Sequence, residues 1–392
     1  MSPRAPDSDP RHAPFPLTDM QQAYTVGQDP ALELGGVSAL VYTELELGPI
    51  DPGRMDAAWG EVVGRHEMLR AVFTGDGQQR VLEDATPATI PVCDHRRVDD
   101  PGAALARLRQ EMKQRRVKLD RWPLIDIRLS VEPGERWRLH LGLPIPLMDA
   151  SSAHVMLHDL ARAYEEPGAE RSPLALSFRD CVAALRQLAS GERLEAARAY
   201  WLEQVQTLPL GPELPLARRL GQMRGHTFVR RTATLSAEVF EALQAKAARR
   251  NLTASQIVLA GYAEALSLWS KSPAFSIVFL QTDRVPDHPQ IHEVVGNFSS
   301  TMLIDYDRRP RTFADRVKRM SARYQAAAAH RHYSGVRVLR RIVQARRLPP
   351  RAMVPVTAVS GLGMAPRRQG PGALSRLGWR EVESYQIGRA HV

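Results

Sequence analysis

The chain has 392 residues, of which 44% are hydrophobic, and a formal net charge of +10. That length supports a large buried core split into two or three units. No apolar run reaches the ~18 residues of a membrane span; with no basic stripe interleaved with aromatics and no zinc-finger spacing, nucleic acid is not an expected partner, though the charge suits an acidic one.

Residues 1–13 are rich in Pro, Asp and Arg, with no apolar stretch. They read as a disordered leader, not a signal peptide. The spacing predicts a helix over 51–73, capped by Asp51 with Pro52 in its first turn. Its core stripe is Met55, Ala58, Trp59, Val62, Val63, His66 and Leu69. Trp137, Leu139, Leu141 and Leu143 alternate as a strand does, and Pro144-Ile145-Pro146 ends it. A helix is predicted from about Ser151, with Ala153, Met156, Leu157, Leu160 and Tyr164 on one face.

The Pro-rich 209–215 reads as a connector. Beyond it come a predicted strand over 228–235, helices over 237–249 and 254–269, and strands over 275–281 and 298–306. Thr312 is placed to cap a helix running to about His330, and 353–359 reads as a strand. Helices and strands alternate in both halves, with no repeat of 20 to 50 residues. The fold class is therefore α/β in two lobes, with the break between 170 and 220. Cys93 and Cys181 stand apart, outside any metal or redox motif, which fits a reduced, cytoplasmic protein.

Eight short motifs then stand in a familiar order. Pro16-Leu17-Thr18-Asp19-Met20-Gln21-Gln22-Ala23-Tyr24 opens the set, followed by Arg65-His66-Glu67-Met68-Leu69-Arg70. Phe178-Arg179-Asp180, Tyr200-Trp201 with Leu208-Pro209, and Asn251-Leu252-Thr253 continue it. Arg284 and His288-Pro289 precede Val294-Val295-Gly296-Asn297-Phe298-Ser299; His332-Tyr333-Ser334-Gly335 follows. From about 14 to 386 the chain resembles the condensation-type domains of nonribosomal peptide synthetases, in their heterocyclisation subclass.

The resemblance implies two chloramphenicol-acetyltransferase-like lobes forming a V around a central tunnel, over 14–180 and 181–386. The partners it implies are upstream and downstream carrier domains bearing substrates on 4'-phosphopantetheine arms, with an adjacent adenylation domain. It implies no metal and no cofactor attached to this chain. The family's reaction joins an acyl thioester to the amine of a carrier-bound Cys, Ser or Thr. The acceptor side chain then attacks the new amide, and loss of water gives a thiazoline or oxazoline.

The resemblance also nominates site residues. Heterocyclisation domains carry DxxxxDxxS; here Asp149 and Ser152 match its second aspartate and its serine, while Pro144 stands at the first aspartate. Asp149 is either an acid/base group or a loop anchor paired with Arg70, the family-expected partner. Ser152 fits helix capping as well as chemistry. Asn297, beside Ser299, replaces the aspartate of VVGDFT, and Val359 replaces the threonine tied to cyclodehydration. His66, Arg70 and Arg284 are structural motif positions. His154 and His158 have a zinc-compatible spacing, but with no third ligand nearby they read as ordinary surface or core histidines.

Two other functions remain open at this point. One is a degenerate copy that only docks carriers; the other is a free-standing acyltransferase of this fold. The latter generally needs HxxxD, and Ile145 stands where its histidine would be. Finally, 387–392 is what a common short-read sequencing adapter encodes in frame. Those six residues are expected to be foreign and to make no core contacts, with the gene continuing past Gln386 and the second lobe incomplete.

Overall fold

The computed structural model describes residues 10–387, except 34, 219, 223–227, 286, 350–351 and 363–372. Local sequence signals set most elements. Thr18 and Gln21 form a reciprocal capping box on the helix Asp19–Val26. Asp51 caps Pro52–Arg65 by accepting from the Gly53 and Arg54 N–H groups. That helix buries Met55, Ala58, Trp59, Val62 and Val63, and it packs on the helix Ala150–Glu165.

The helix predicted over 51–73 stops early. His66 is extended at φ −104° and ψ 100°, Glu67–Arg70 is a single 3-10 turn, and Ala71–Thr74 is a strand. His66 and Leu69 are buried, as the stripe requires. They reach the core from two different conformations, which spacing alone does not separate.

The first sheet has five strands in the order Arg380–Ile387, Leu40–Leu47, Arg136–Pro144, Asp126–Glu132, Val92–Asp94. Its ladders are antiparallel except the last, which is parallel. The second sheet runs Thr357–Val359, Ala274–Thr282, Ser299–Asp307, the first pair parallel and the second antiparallel. A small antiparallel sheet joins Phe15–Pro16, Gln78–Val81 and Ala71–Thr74.

Two large hydrophobic cores divide the chain. One gathers Leu139, Leu141, Met156 and Leu160 with Phe178, Cys181 and Val182. The other gathers Trp201, Phe275, Ile277, Ile304, Val317 and Leu339. Membership changes between Val182 and Ala197, so the helix Phe178–Leu188, which straddles the expected break at 180, packs with the first lobe.

The chain then returns to the first core twice. Val294, Val295 and Phe298 do so once, and Trp379 does so again, its ring 5.5 Å from that of Tyr164. Residues 380–386, expected in the second lobe, thus form with Ile387 the outer strand of the first sheet. Ile387, the first of the six residues expected to be foreign, pairs with Leu40 in that ladder; 388–392 lie outside the described residues.

Two predicted strands differ as well. The stretch 228–235 belongs to none of the three sheets, and its Val229 and Leu235 are exposed. Alternation makes a strand only where a neighbour completes its ladder. Of 353–359, only Thr357–Val359 is a strand. The helices Ala237–Ala248, Ala254–Ser267 and Phe313–Ala329 match their predictions closely, and Thr312 caps the last. Among the described residues no helix is long and apolar enough to cross a membrane.

Candidate functional site

The strand Arg136–Pro144 ends at Pro144, which is buried and pairs with Leu40. The chain turns through Ile145 to Met148 and enters the next helix at Asp149. Asp149 is that helix's N-cap, and its Oδ1 accepts the Ser152 N–H at 2.7 Å. Its backbone N–H donates to the Gly296 carbonyl at 3.2 Å, and its Oδ2 accepts the Phe298 N–H at 3.3 Å. Ser152 completes the clasp: Oγ donates to the Gly296 carbonyl at 2.7 Å and accepts the Gly296 N–H at 3.1 Å.

Arg284 locks this junction. Nη2 donates to Asp149 Oδ1 at 3.3 Å and to Ser152 Oγ at 3.0 Å. Nη1 donates to the Ile291 and Val294 carbonyls, and the guanidinium stacks 4.1 Å over the Phe298 ring. Burial pushes the guanidinium's pKa down, and Asp149 opposes that shift. The Arg70–Asp149 pair expected from the sequence does not form. Arg70 instead donates to the Leu82 and Glu83 carbonyls. The early end of the helix at Arg65 is the reason, because it leaves Arg70 on the turn entering the small sheet.

Asn297 is fully buried beside this clasp. Its Nδ2 donates to the Ile145 carbonyl at 2.6 Å, and its Oδ1 accepts the Ser299 N–H at 2.9 Å. Both ends of the carboxamide are committed, and an amide does not ionise, so it moves no proton. Gly296 must be glycine: a Cβ would lie 2.2 Å from the Phe178 ring. Asp149, Ser152, Arg284, Asn297 and Ser299 therefore meet at one junction. Val359 belongs to the far edge of the second sheet, two strands from Thr301, or roughly 10 Å across it. Its side chain is 72% exposed.

His66 sits elsewhere, with Nε2 3.0 Å from Asp159 Oδ2, which Arg65 also pairs at 3.2 Å. His154 and His158 lie ring against ring at 4.4 Å. Among the described residues no group of three His, Cys, Asp or Glu side chains could hold a metal.

Sequence reasoning missed two supports of the junction. Gln21, wholly buried, donates to the Pro146 carbonyl at 3.1 Å and pairs with Gln79 at 2.8 Å. Asp19 binds Arg337 at 2.8 Å and Ser334 at 2.6 Å, tying the opening motif to the second lobe. The signal was available, since both acceptor-rich positions lie inside the first motif and Ser334 in the last.

Comparison with known proteins extends these observations. The profile of the Condensation domain family matches residues 15–348. Pyochelin synthetase PchF of Pseudomonas aeruginosa is 32% identical over 369 residues, covering 93% of this chain and 20% of that protein. Phenyloxazoline synthase MbtB of Mycobacterium tuberculosis is 34% identical, covering 89% of this chain and 25% of that protein. The chain thus spans about a fifth to a quarter of these relatives. The EpoB NRPS cyclization-docking bidomain from Sorangium cellulosum superposes with a TM-score of 0.85 at 29% identity, over 97% of this chain and 76% of that one. The first condensation domain of the calcium-dependent antibiotic synthetase, at 20% identity and a TM-score of 0.71, over 98% of this chain and 86% of that one, shares the fold.

Proposed function

This chain belongs to the condensation-domain family, in its cyclisation-type branch, and we propose that it acts in a nonribosomal peptide synthetase to join two carrier-bound substrates by an amide bond. Its fold is that of the family, mixed α/β with chloramphenicol-acetyltransferase-like lobes. The substrates are an acyl thioester and a Cys, Ser or Thr thioester. Upstream and downstream carrier domains present them on phosphopantetheine arms, beside an adenylation domain, in the cytoplasm. Siderophore-type assembly lines are the nearest setting, by analogy with pyochelin synthetase.

The observation that carries this reading is the junction itself. Motif residues separated by up to 152 positions converge on one clasp where the two lobes meet. Amide formation between tethered substrates leans on positioning, and a rigid floor supplies it. Asp149 and Ser152 serve this reading as positioning residues, because their polar atoms are already engaged. Ring closure is a weaker capacity in this copy, given Pro144, Asn297 and Val359. A domain that only docks carriers finds no support in kinship with synthetases.

The test supplies carrier-loaded donor and acceptor and weighs the carrier-bound product. Linear amide supports the proposal. Absence of any coupled product, with a folded protein and loaded carriers, overturns it.

A further inference from the structure

Outside the Asp149 clasp, two motif residues join the lobes at a second place. Asp19 begins the helix Asp19–Val26 of the first lobe. Its Oδ2 accepts from Ser334 Oγ at 2.6 Å and from Arg337 Nε at 2.8 Å, and its Oδ1 accepts from Arg337 Nη2 at 3.4 Å. Ser334 is the N-cap of the helix Gly335–Ala345, whose Val338, Leu339 and Ile342 belong to the second core.

Both sides of this contact are themselves held. Thr18 caps the Asp19 helix, and Gln21 in its first turn donates to the Pro146 carbonyl. A Cβ on Gly335 would lie 3.0 Å from Thr301 Oγ1, so the start of that helix presses directly on the strand Ser299–Asp307. Val336 then reaches across the boundary. It is fully buried among Met20, Ala23, Tyr24, Ala39 and Ile145 of the first lobe.

The apolar and the polar contact resist different motions. Apolar burial opposes separation but has no direction, so it lets the two helices slide. A carboxylate gripped by a guanidinium fork and a hydroxyl has one favoured orientation. The Asp149 clasp joins the lobes at one place, and a second, directional contact removes rocking about it. With side chains 24% and 39% exposed, the Asp19–Arg337 pair adds little to global stability. Its effect is on geometry.

We infer that Asp19 is a positioning residue for coupling. It fixes the register between its own helix and Gly335–Ala345, and so the angle at which the lobes face each other. This rests on the coupling function proposed above, since two tethered substrates react only when the lobes present them at the right spacing. A misplacement of about 1 Å costs as much as about 10²-fold in rate.

The test first reads the lobe angle without substrate, as a nitroxide-to-nitroxide distance by pulsed electron spin resonance. The labels go on Arg107→Cys in the first lobe and Lys318→Cys in the second, both exposed, in a Cys93→Ser background; Cys181 is buried and takes no label. Asp19→Ala and Arg337→Met are expected to broaden the distance distribution or move its mean by about 2 Å or more, with little change in melting temperature. Arg337→Lys, which keeps the charge but not the fork, is expected to lie between these variants and the parent. With carrier-loaded substrates, kcat/KM for the linear amide is expected to fall about tenfold or more in Asp19→Ala and Arg337→Met, and less in Arg337→Lys. An unchanged distance distribution in the folded Asp19 and Arg337 variants overturns the inference, and so does a changed distribution with coupling undiminished. A parent that makes no amide fails the proposed function instead, and the distances alone then support or overturn the hold of Asp19 on the lobe angle.

Discussion

Arg284 places one guanidinium nitrogen against both Asp149 and Ser152, residues 135 and 132 positions away in sequence. The ion pair is nearly closed to water, its side chains 7% and 5% exposed. Its strength lies less in Coulomb attraction than in what remains when one partner is lost, because removing Asp149 strands a buried cation. Asp149→Ala is expected to cost about 3 kcal/mol or more of unfolding free energy, read by urea denaturation. Ser152→Ala, which removes a hydroxyl and no charge, is expected to cost about 1 kcal/mol. A loss below about 1 kcal/mol for Asp149→Ala would sink the anchoring role.

Gly296 accepts and donates within the same clasp while its Cα faces the Phe178 ring. Gly296→Ala drives a methyl into ring atoms 2.2 to 2.6 Å away. An aromatic ring held between Phe15 and Phe298 has little room to yield. The expected cost is about 1–3 kcal/mol. Adding Phe178→Leu to Gly296→Ala is expected to recover part of it, and a double-mutant cycle reads the coupling. Strict additivity would show that the clash is relieved elsewhere.

His140 gives the first lobe a pH dependence. The Tyr42 hydroxyl donates to Glu44 at 2.9 Å, so it accepts from His140 Nδ1 at 2.8 Å, which leaves Nε2 to accept from Ser130 at 2.7 Å. The ring is neutral in this arrangement. Burial, aided by Arg109 and Arg138 and opposed by Glu44, pushes its pKa down to about 4. The unfolded chain takes up that proton near 6.5. Stability is therefore whole above about pH 6.5 and falls as pH drops towards 4, by on the order of 3 kcal/mol.

Glu44 acts lower on the scale. Burial raises its pKa, but Arg109, His140 and Tyr42 outweigh burial and hold it at about 2. Its contribution is present above about pH 4.5 and is lost only towards pH 2. His332, lowered by burial and by Arg331, adds to the histidine slope. His140→Gln separates the two histidines. Denaturation at pH 7.5 and pH 5 is expected to show a smaller pH effect in that variant than in the parent, and an unchanged difference would refute the assignment.

The legible parts of this molecule were those that short stretches decide. Asp51 and Thr312 cap their helices because a side-chain oxygen needs only the next three residues. The motif order gave the family, and Asp149, Ser152 and Asn297 do meet. What failed depended on direction in space. Arg70 and Arg284 are both motif arginines, and only the turn after Arg65 decides which one can face Asp149. The return of Arg380–Ile387 to the first sheet has no local marker either, because any exposed strand could take it. Asn297 illustrates a third kind of gap. Its substitution was visible, but the bond to the Ile145 carbonyl that makes the amide useful was not.

That bond bears on ring closure, the step least suited to this copy. Cyclodehydration moves protons onto and off the new amide oxygen, and positioned acid/base groups typically contribute about 10²–10⁴-fold. Pro144 has no ionisable side chain and ends a strand. Asn297 has an amide committed at both ends. Val359 has no hydrogen-bonding group and sits exposed at a sheet edge. Amide formation does not lean on these groups to the same degree, since effective concentration supplies much of its acceleration. With matched carriers the protein is expected to accumulate linear amide, with ring closure slower by about 10² or more than in a relative that keeps the full motif set. Mass spectrometry of the carrier-bound product separates the two, the ring being lighter by one water. Heterocycle forming as fast as in that relative would show that protons move by a route these residues do not provide.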